Sequence, residues 1–581
     1  MSVLSSLLGA YARLPDAPPM GMSREKIGAV MSLNPDGTVA GLHDLRDTSV
    51  RKPAPALLLV PQPVKRTAGI APNFLWDKTA YALGVTAGEG RRTADEHAAF
   101  RARHAEWLAG TQDQGLLAFV RFLDRWRPED FTGDAALLDQ NIIFALESDR
   151  MARVWLHDRP AARALWDELR GASGGGAARC LASGRRGPVA RLHPSIKGVW
   201  GAQSAGASLV SFNLDAFTSY GHEQGDNAPV SEESAFAYTA ALNRFLARGS
   251  GNRVQVGDAS VVFWADTDDA AAAAAADAMF AGYVNADPAK EDAAAAREIA
   301  VKLERIRKGA PLAEVEPALA AGVRFTVLGL APNAARLSVR FLVQDSFGEI
   351  TRNYQRFQSD IRVETGQDQP FSLFLHLVEL AVLRKAENVP PNLAGDWMRA
   401  ILTSTRYPLT LLTTTLMRIR ADGRINDPRV GMMKAVLIRN FDMEVPMALD
   451  PEYDNTGYRL GRLFAVYEQI QYAALGSVNA SIRDKYYGSA SATPQQVFGM
   501  LDKGAQVHLS KVGKQNRGRA VNLERVLRDL MDGLAASDET FPKSLPARDQ
   551  ALFALGYHHQ RSSMMPKKAE NIPDNAEVTD E

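Results

Sequence analysis

Two serine–lysine pairs in this chain have a spacing that could support acyl transfer. Ser23-Arg-Glu-Lys26 matches S-x-x-K, and Ser211-Phe-Asn213 matches S-x-N in the order used by penicillin-binding enzymes. Ser195 and Lys197 form a second short pair. In such a site a lysine amine takes the serine proton, so the two side chains must meet. No K-T-G string follows downstream, which leaves the hydrolase as a rival reading. His97 and His104 could share one helix face, but no H-E-x-x-H accompanies them. His222-Glu223 lacks a second histidine, and His558-His559 precedes a polar tail. No metal and no cofactor are therefore expected. The glycine-rich run at 171–178, GASGGGAA, lacks the lysine of a phosphate cradle and reads as a loop.

A different chemistry is written into Arg191–Asn227, RLHPSIKGVWGAQSAGASLVSFNLDAFTSYGHEQGDN. Its glycines, small hydroxyls, amides and aromatics carry little helical periodicity. Gly198, Gly201 and Gly206 remove side chains, so the backbone can approach a narrow groove. Gln203 can wedge into a base step or read an edge, with Ser204 beside it, and Lys197 can neutralise a phosphate. Asn213 and Asn227 carry amides suited to adenine or to minor-groove acceptors. The competing reading is a polar sheet rim with buried hydroxyls. Two basic clusters add to the nucleic-acid reading. Lys52, Lys65 and Arg66 sit among prolines ahead of Asn73-Phe-Leu-Trp-Asp-Lys78. Lys503, Lys511, Lys514, Arg517, Arg519, Arg525 and Arg528 are interrupted by one acid, Glu524, and suit a phosphate backbone.

The elements that must hold these residues follow from length and pattern. At 581 residues, 46% hydrophobic and 23% charged, the chain is an ordinary globular protein of several domains. Lysine plus arginine equals aspartate plus glutamate at 67 each, which argues against autonomous tight DNA binding and for work inside an assembly. The single cysteine, Cys180, excludes an intramolecular disulfide. The N-terminus has no basic leader and no apolar run is long enough to span a membrane, so a cytoplasmic location without membrane contact is expected. Residues 2–14 read as an amphipathic helix, and 27–60 as short strands around the turn Asn34-Pro-Asp-Gly37. Helices are expected at 93–109, 115–126, 135–144 and 231–247, with strands at 254–264 and a hairpin over 323–343 around Pro332-Asn333. Residues 266–300, alanine-rich and acidic, read as solvated spacer helices. Beyond Tyr354 seven helical patterns and no strand are expected. The fold class is α+β: a mixed domain over 1–350, connecting helices over 351–445, a helical bundle over 446–565 and a disordered tail over 566–581.

Several strings resemble one family. Arg191–Asn227, PVSEESAFAYTAALNRFL at Pro229–Leu246, LAPNAARLSVRF at Leu330–Phe341, YRLGRLFAVYEQIQYAALG at Tyr458–Gly476 and RDKYYGSASATPQQVF at Arg483–Phe498 are similar, in order, to the large subunit of the type I-C CRISPR surveillance complex (Cascade), the Csd1 family. The resemblance implies a non-catalytic protein. Its N-terminal domain would recognise the protospacer-adjacent motif on duplex DNA and promote unwinding. Its bundle, resembling the small subunit, would support the displaced strand. Guide pairing would supply the long specificity.

The implied partners are target DNA, a guide-RNA ribonucleoprotein with backbone and guide-end-capping subunits, a small subunit and a helicase–nuclease. Lys197, Gly201, Gln203, Ser204 and Gly206 would form the groove-approaching loop, with Asn73 and Lys78 as a second contact region. The resemblance further implies a small subunit made by internal translation, for which Met443 or Met447 is a suitable start. The alternative is a scaffold that contacts guide RNA and neighbouring proteins without reading DNA.

Overall fold

The computed structural model describes residues 2–64, 66, 69–172, 177–284, 293–320, 322–364, 373–385, 388–535 and 540–564. Lys65 and the expected disordered tail lie outside them. The chain forms two compact units. The first comprises residues 1–198, 202–247 and 333–337, and the second 199–201, 248–332 and 338–581.

The first unit carries β1 (Met22–Ile27), β2 (Ala29–Leu33), β3 (Val39–Asp44), β4 (Ala56–Pro61), β5 (Trp76–Lys78), β6 (Asn141–Leu146), β7 (Ala177–Arg179) and β8 (Arg186–Pro188). Four of them form one sheet in the order β3-β2-β6-β5, in which β2 and β6 run parallel and the other pairs antiparallel. The Asn34–Gly37 turn closes the β2–β3 hairpin as expected, with Gly37 N–H donating to Asn34 O at 2.9 Å. Strand β6 corrects the helix expected over 135–144. Ile142, Phe144 and Leu146 face one core with Phe100, Phe119 and Phe122, while Ile143 and Ala145 face a second with Val30, Val60 and Trp76. A strand buried on both faces loses its alternation and reads as an unbroken apolar run.

The second unit is built on an antiparallel sheet, β9 (Arg253–Val256), β10 (Ala259–Asp266), β11 (Arg324–Asn333) and β12 (Arg336–Ser346), in the order β12-β11-β10-β9. The helix Ala270–Val284 buries Ala272, Ala276, Met279, Phe280, Tyr283 and Val284 in the core instead of standing in solvent. From Phe347 onward the described residues are helical and contain no strand. The helix Thr456–Leu475 packs along Ala547–Met564, where residues 551–560 are all buried. Glycines set that contact. A Cβ on Gly461 would collide with Phe553 O, and one on Gly556 with Tyr458 O. Among the described residues no helix is long and apolar enough to cross a membrane. The proportions and segregation of helix and sheet make the fold α+β.

Candidate nucleic-acid interface

In the first unit, the central loop is pinched shut by one bridge. Ile196 N–H donates to Ala207 O and Ala207 N–H to Ile196 O, both at 2.9 Å. Gln203 O accepts from Gly206 N–H at 2.9 Å to turn the chain, and the Gln203 and Ser204 side chains are exposed. Gly206 has φ +94°, and a Cβ there would lie 2.8 Å from Ile196 O, against the bridge itself. Only glycine fits both demands. Lys197 donates its backbone N–H to Asn243 Oδ1 at 2.8 Å and its ammonium to both Glu25 oxygens at 2.9 Å.

The same carboxylate receives the Ser23 hydroxyl at 2.7 Å. Ser23 and Lys26 lie three residues apart on β1, so they point to opposite faces, and the Lys197 ammonium of the second pair is given to Glu25. Residues 199–201 are counted with the second unit. There Trp200 donates its backbone N–H to Ser260 Oγ at 2.9 Å and leaves its indole 63% exposed. Gly201 beside it has φ +74°. Sequence reading passed over Trp200, although an aromatic in a run of glycines is itself a signal for stacking.

Asn213 and Asn227 hold the rest of the loop. Asn213 Oδ1 accepts from Arg336 Nη2, whose guanidinium lies 4.0 Å from the centroid of the Phe217 ring. Asn227 accepts from Ser219 N–H at 2.9 Å and donates to Gln224 O at 3.0 Å and His222 O at 3.3 Å. The Asn227 amide is thus occupied at both ends, while Asn213, exposed, is engaged through its oxygen.

The second contact region is a rigid turn around Asp77. Arg66 pairs with the Asp77 carboxylate, donates to Ala71 O at 2.7 Å and stacks 4.1 Å from the Tyr81 ring centroid. Burial pushes the Asp77 carboxyl up, against the pull of Arg66 and of the Asn73 and Lys78 backbone N–H groups. Asn73 is 4% exposed, and its Oδ1 accepts from Val64 N–H at 3.0 Å. Lys78 is exposed at the start of the helix Thr79–Ala82. Leu75 takes φ +59° and donates its N–H to His104 Nε2 at 2.9 Å. His104 Nδ1 must then carry the proton given to Phe100 O at 2.8 Å, and burial lowers its pKa to about 4. His97 instead meets Tyr81 O through Nδ1 at 2.9 Å. Among the described residues no group of three or more metal-binding side chains converges.

In the second unit Lys511, Lys514, Arg517 and Arg519 are all exposed around one helix–helix turn. The lysines end the helix Pro494–Gln515, and the arginines begin the helix Arg517–Ala535, capped by Asn516 Oδ1 on Arg519 N–H at 3.0 Å. Cations suit the C-terminus of the first helix. At the N-terminus of the second they oppose the macrodipole, and no acid sits in its first turn.

The family described as CRISPR-associated protein (Cas_Csd1) has a model that matches residues 7–565. No curated protein matches the chain.

Proposed function

Because the chain belongs to the CRISPR-associated Csd1 family, the large subunits of Cascade, we propose that it acts without catalysis as the DNA-recognising subunit of a type I-C RNA-guided surveillance complex. On this reading residues 1–350 recognise the protospacer-adjacent motif and start unwinding. Residues 351–445 connect, and residues 446–565 support the displaced strand. The assembled complex then recruits a helicase–nuclease, and it works in the cytoplasm. The observation that carries the reading is the loop closed by the Ile196–Ala207 bridge. It presents Gln203 and Ser204 on a turn that only glycine at 206 permits. A rigid, small-residue loop with one exposed amide has the form of a groove probe, because its shape is set before DNA arrives.

Within this proposal the residues divide by placement. In the first unit Gln203, Ser204 and Lys78 are exposed and suited to direct contact; in the second unit Trp200 separately offers an exposed aromatic face. Asn73, Arg66, Asn213 and Asn227 are committed to internal bonds and support the shape. The exposed cations 511, 514, 517 and 519 suit a phosphate track, since they remain where the helix dipole disfavours two of them.

The test is binding of the reconstituted guide complex to duplexes with a matched target and randomised flanking bases, using wild type and Gln203→Ala. The expected outcome is a sharp flank preference that the variant blunts by about 1–3 kcal/mol of discrimination. A wild type indifferent to the flank would return the chain to the scaffold reading.

A further inference from the structure

An open cavity of about 370 Å3 in the second unit is lined by Arg356, Ser359, Asp360, Ser404 and Arg439. Its walls come from three helical regions: Phe347–Ile361, the end of Pro391–Thr403, and Asp427–Phe441. Two guanidiniums converge on one hydroxyl. Arg439 Nη1 donates to Ser404 Oγ at 2.9 Å, and Arg356 Nη1 donates to the same oxygen at 3.3 Å. A hydroxyl that accepts two N–H bonds keeps its own proton to give. Ser404 is itself held at φ 52°, a left-handed conformation uncommon outside glycine, by N–H bonds to Ala400 and Ile401 carbonyls.

The charges around the cavity do not balance. Asp360 is spent on Arg439 and on the Tyr407 hydroxyl, which donates to it at 3.1 Å. Among the described residues no carboxylate pairs with Arg356. Beneath the cavity Lys434, 2% exposed, donates its ammonium to Asp360 O at 2.9 Å and Ser359 O at 3.4 Å. Burial pulls its pKa down to about 8, which leaves it mostly charged at neutral pH. Two cations thus line the cavity with one carboxylate, and Lys434 adds a third positive charge against the Ser359 and Asp360 backbone. Arg439 is fixed further by stacking 5.1 Å from the Tyr407 ring centroid, and Tyr407 is clamped by Asn440 through bonds of 3.0 and 2.7 Å.

We infer that this cavity is a phosphate site, holding one backbone phosphate of a single-stranded nucleic acid between Arg356, Arg439 and the Ser404 hydroxyl. The fork of a guanidinium matches two phosphate oxygens, and the serine proton matches a third. All five lining side chains are polar, which favours a charged group over a base face. The contact therefore reads backbone and not sequence. This goes beyond motif recognition and stands or falls separately from the Gln203 loop.

Two variants test it on the full chain without guide complex. Arg356→Ala removes an exposed side chain. Ser404→Gly removes the hydroxyl while suiting the left-handed backbone, so a folding defect is not expected. The readouts are the melting temperature in sodium phosphate against sodium chloride at equal ionic strength, and anisotropy of a labelled oligothymidine across a salt series. Phosphate should raise the wild-type Tm, and each variant should lose that rise. With Arg356→Ala, the slope of log affinity against log salt should become shallower by about 0.7. A Tm rise undiminished in both variants, or no rise in the wild type, overturns the site. A lost Tm rise with unchanged oligothymidine binding overturns the backbone assignment in favour of free inorganic phosphate. Because the Gln203→Ala experiment reads flank preference in the assembled complex, either result can fail alone.

Discussion

At the scale of single residues, the proposed contacts are governed by partners far away in the chain. Lys197 is a phosphate ligand by type, yet Glu25 already holds its ammonium through both oxygens. Glu25→Gln should release that charge and tighten duplex binding by the guide complex, with a salt slope steeper by about 0.9. An unchanged slope would leave Lys197 a purely structural residue. Gly206 is fixed by geometry: alanine there meets both an unfavourable φ and the Ile196 carbonyl. Gly206→Ala is expected to cost about 1–3 kcal/mol, read from denaturant midpoints.

His104 supplies a pH dependence. Its folded pKa, about 4, is depressed by burial from the ordinary 6.5, so the unfolded chain takes up the proton first. Its contribution to stability is complete above pH 6.5 and is lost as pH falls toward 4. By pH 5 the first unit should have lost about 2 kcal/mol, visible in urea titrations at pH 7 and pH 5. A flat midpoint across that window would show that burial does not depress the His104 pKa in the fold.

At the scale of elements, pattern served well where caps, turns or strand-forming residues mark an element and failed where burial alone shapes the sequence. The helix Glu232–Leu246 was legible because Ser231 caps it, accepting from Ser234 N–H, and two acids open it. The hairpin of β11 and β12 was legible from its strand-forming residues, although Pro332 and Asn333 end β11 and the turn itself falls at Ala334 and Ala335. Strand β6 and the helix Ala547–Met564 were not, since burial on every side erases the periodicity that distinguishes helix from strand. That helix is tied to Thr456–Leu475 through paired glycines, and Gly461→Ala should force the two backbones apart. The expected cost is about 1–3 kcal/mol in the unfolding of the second unit, measured by calorimetry. At the turn between the helices ending at Gln515 and beginning at Arg517, replacing Arg517 by Glu should raise Tm slightly while weakening single-strand binding. A gain in stability with no loss of binding would remove that turn from the phosphate track.

At the scale of the whole molecule, a balanced charge of 67 cations and 67 anions conceals strong local imbalance. The exposed cations at 511–519 and the three cations around the Ser404 cavity are examples. The proposed internal start at Met443 or Met447 falls in the segment between the helices Asp427–Phe441 and Thr456–Leu475. Recoding both codons to leucine should abolish a short C-terminal product, and its persistence would refute the internal start. From the sequence alone came the α+β class, most element positions, the family and the loop proposed to meet DNA, because these rest on local spacing and on strings read in order. The tertiary structure decided which charged and amide groups remain available. Arg66 met Asp77, Asn73 met Val64, and Arg356 met Arg439 across Ser404. The first two pairs lie 11 and 9 residues apart and the last spans 35 to 48, yet in each case a side chain's availability depends on what folding brings to it, which no local pattern records.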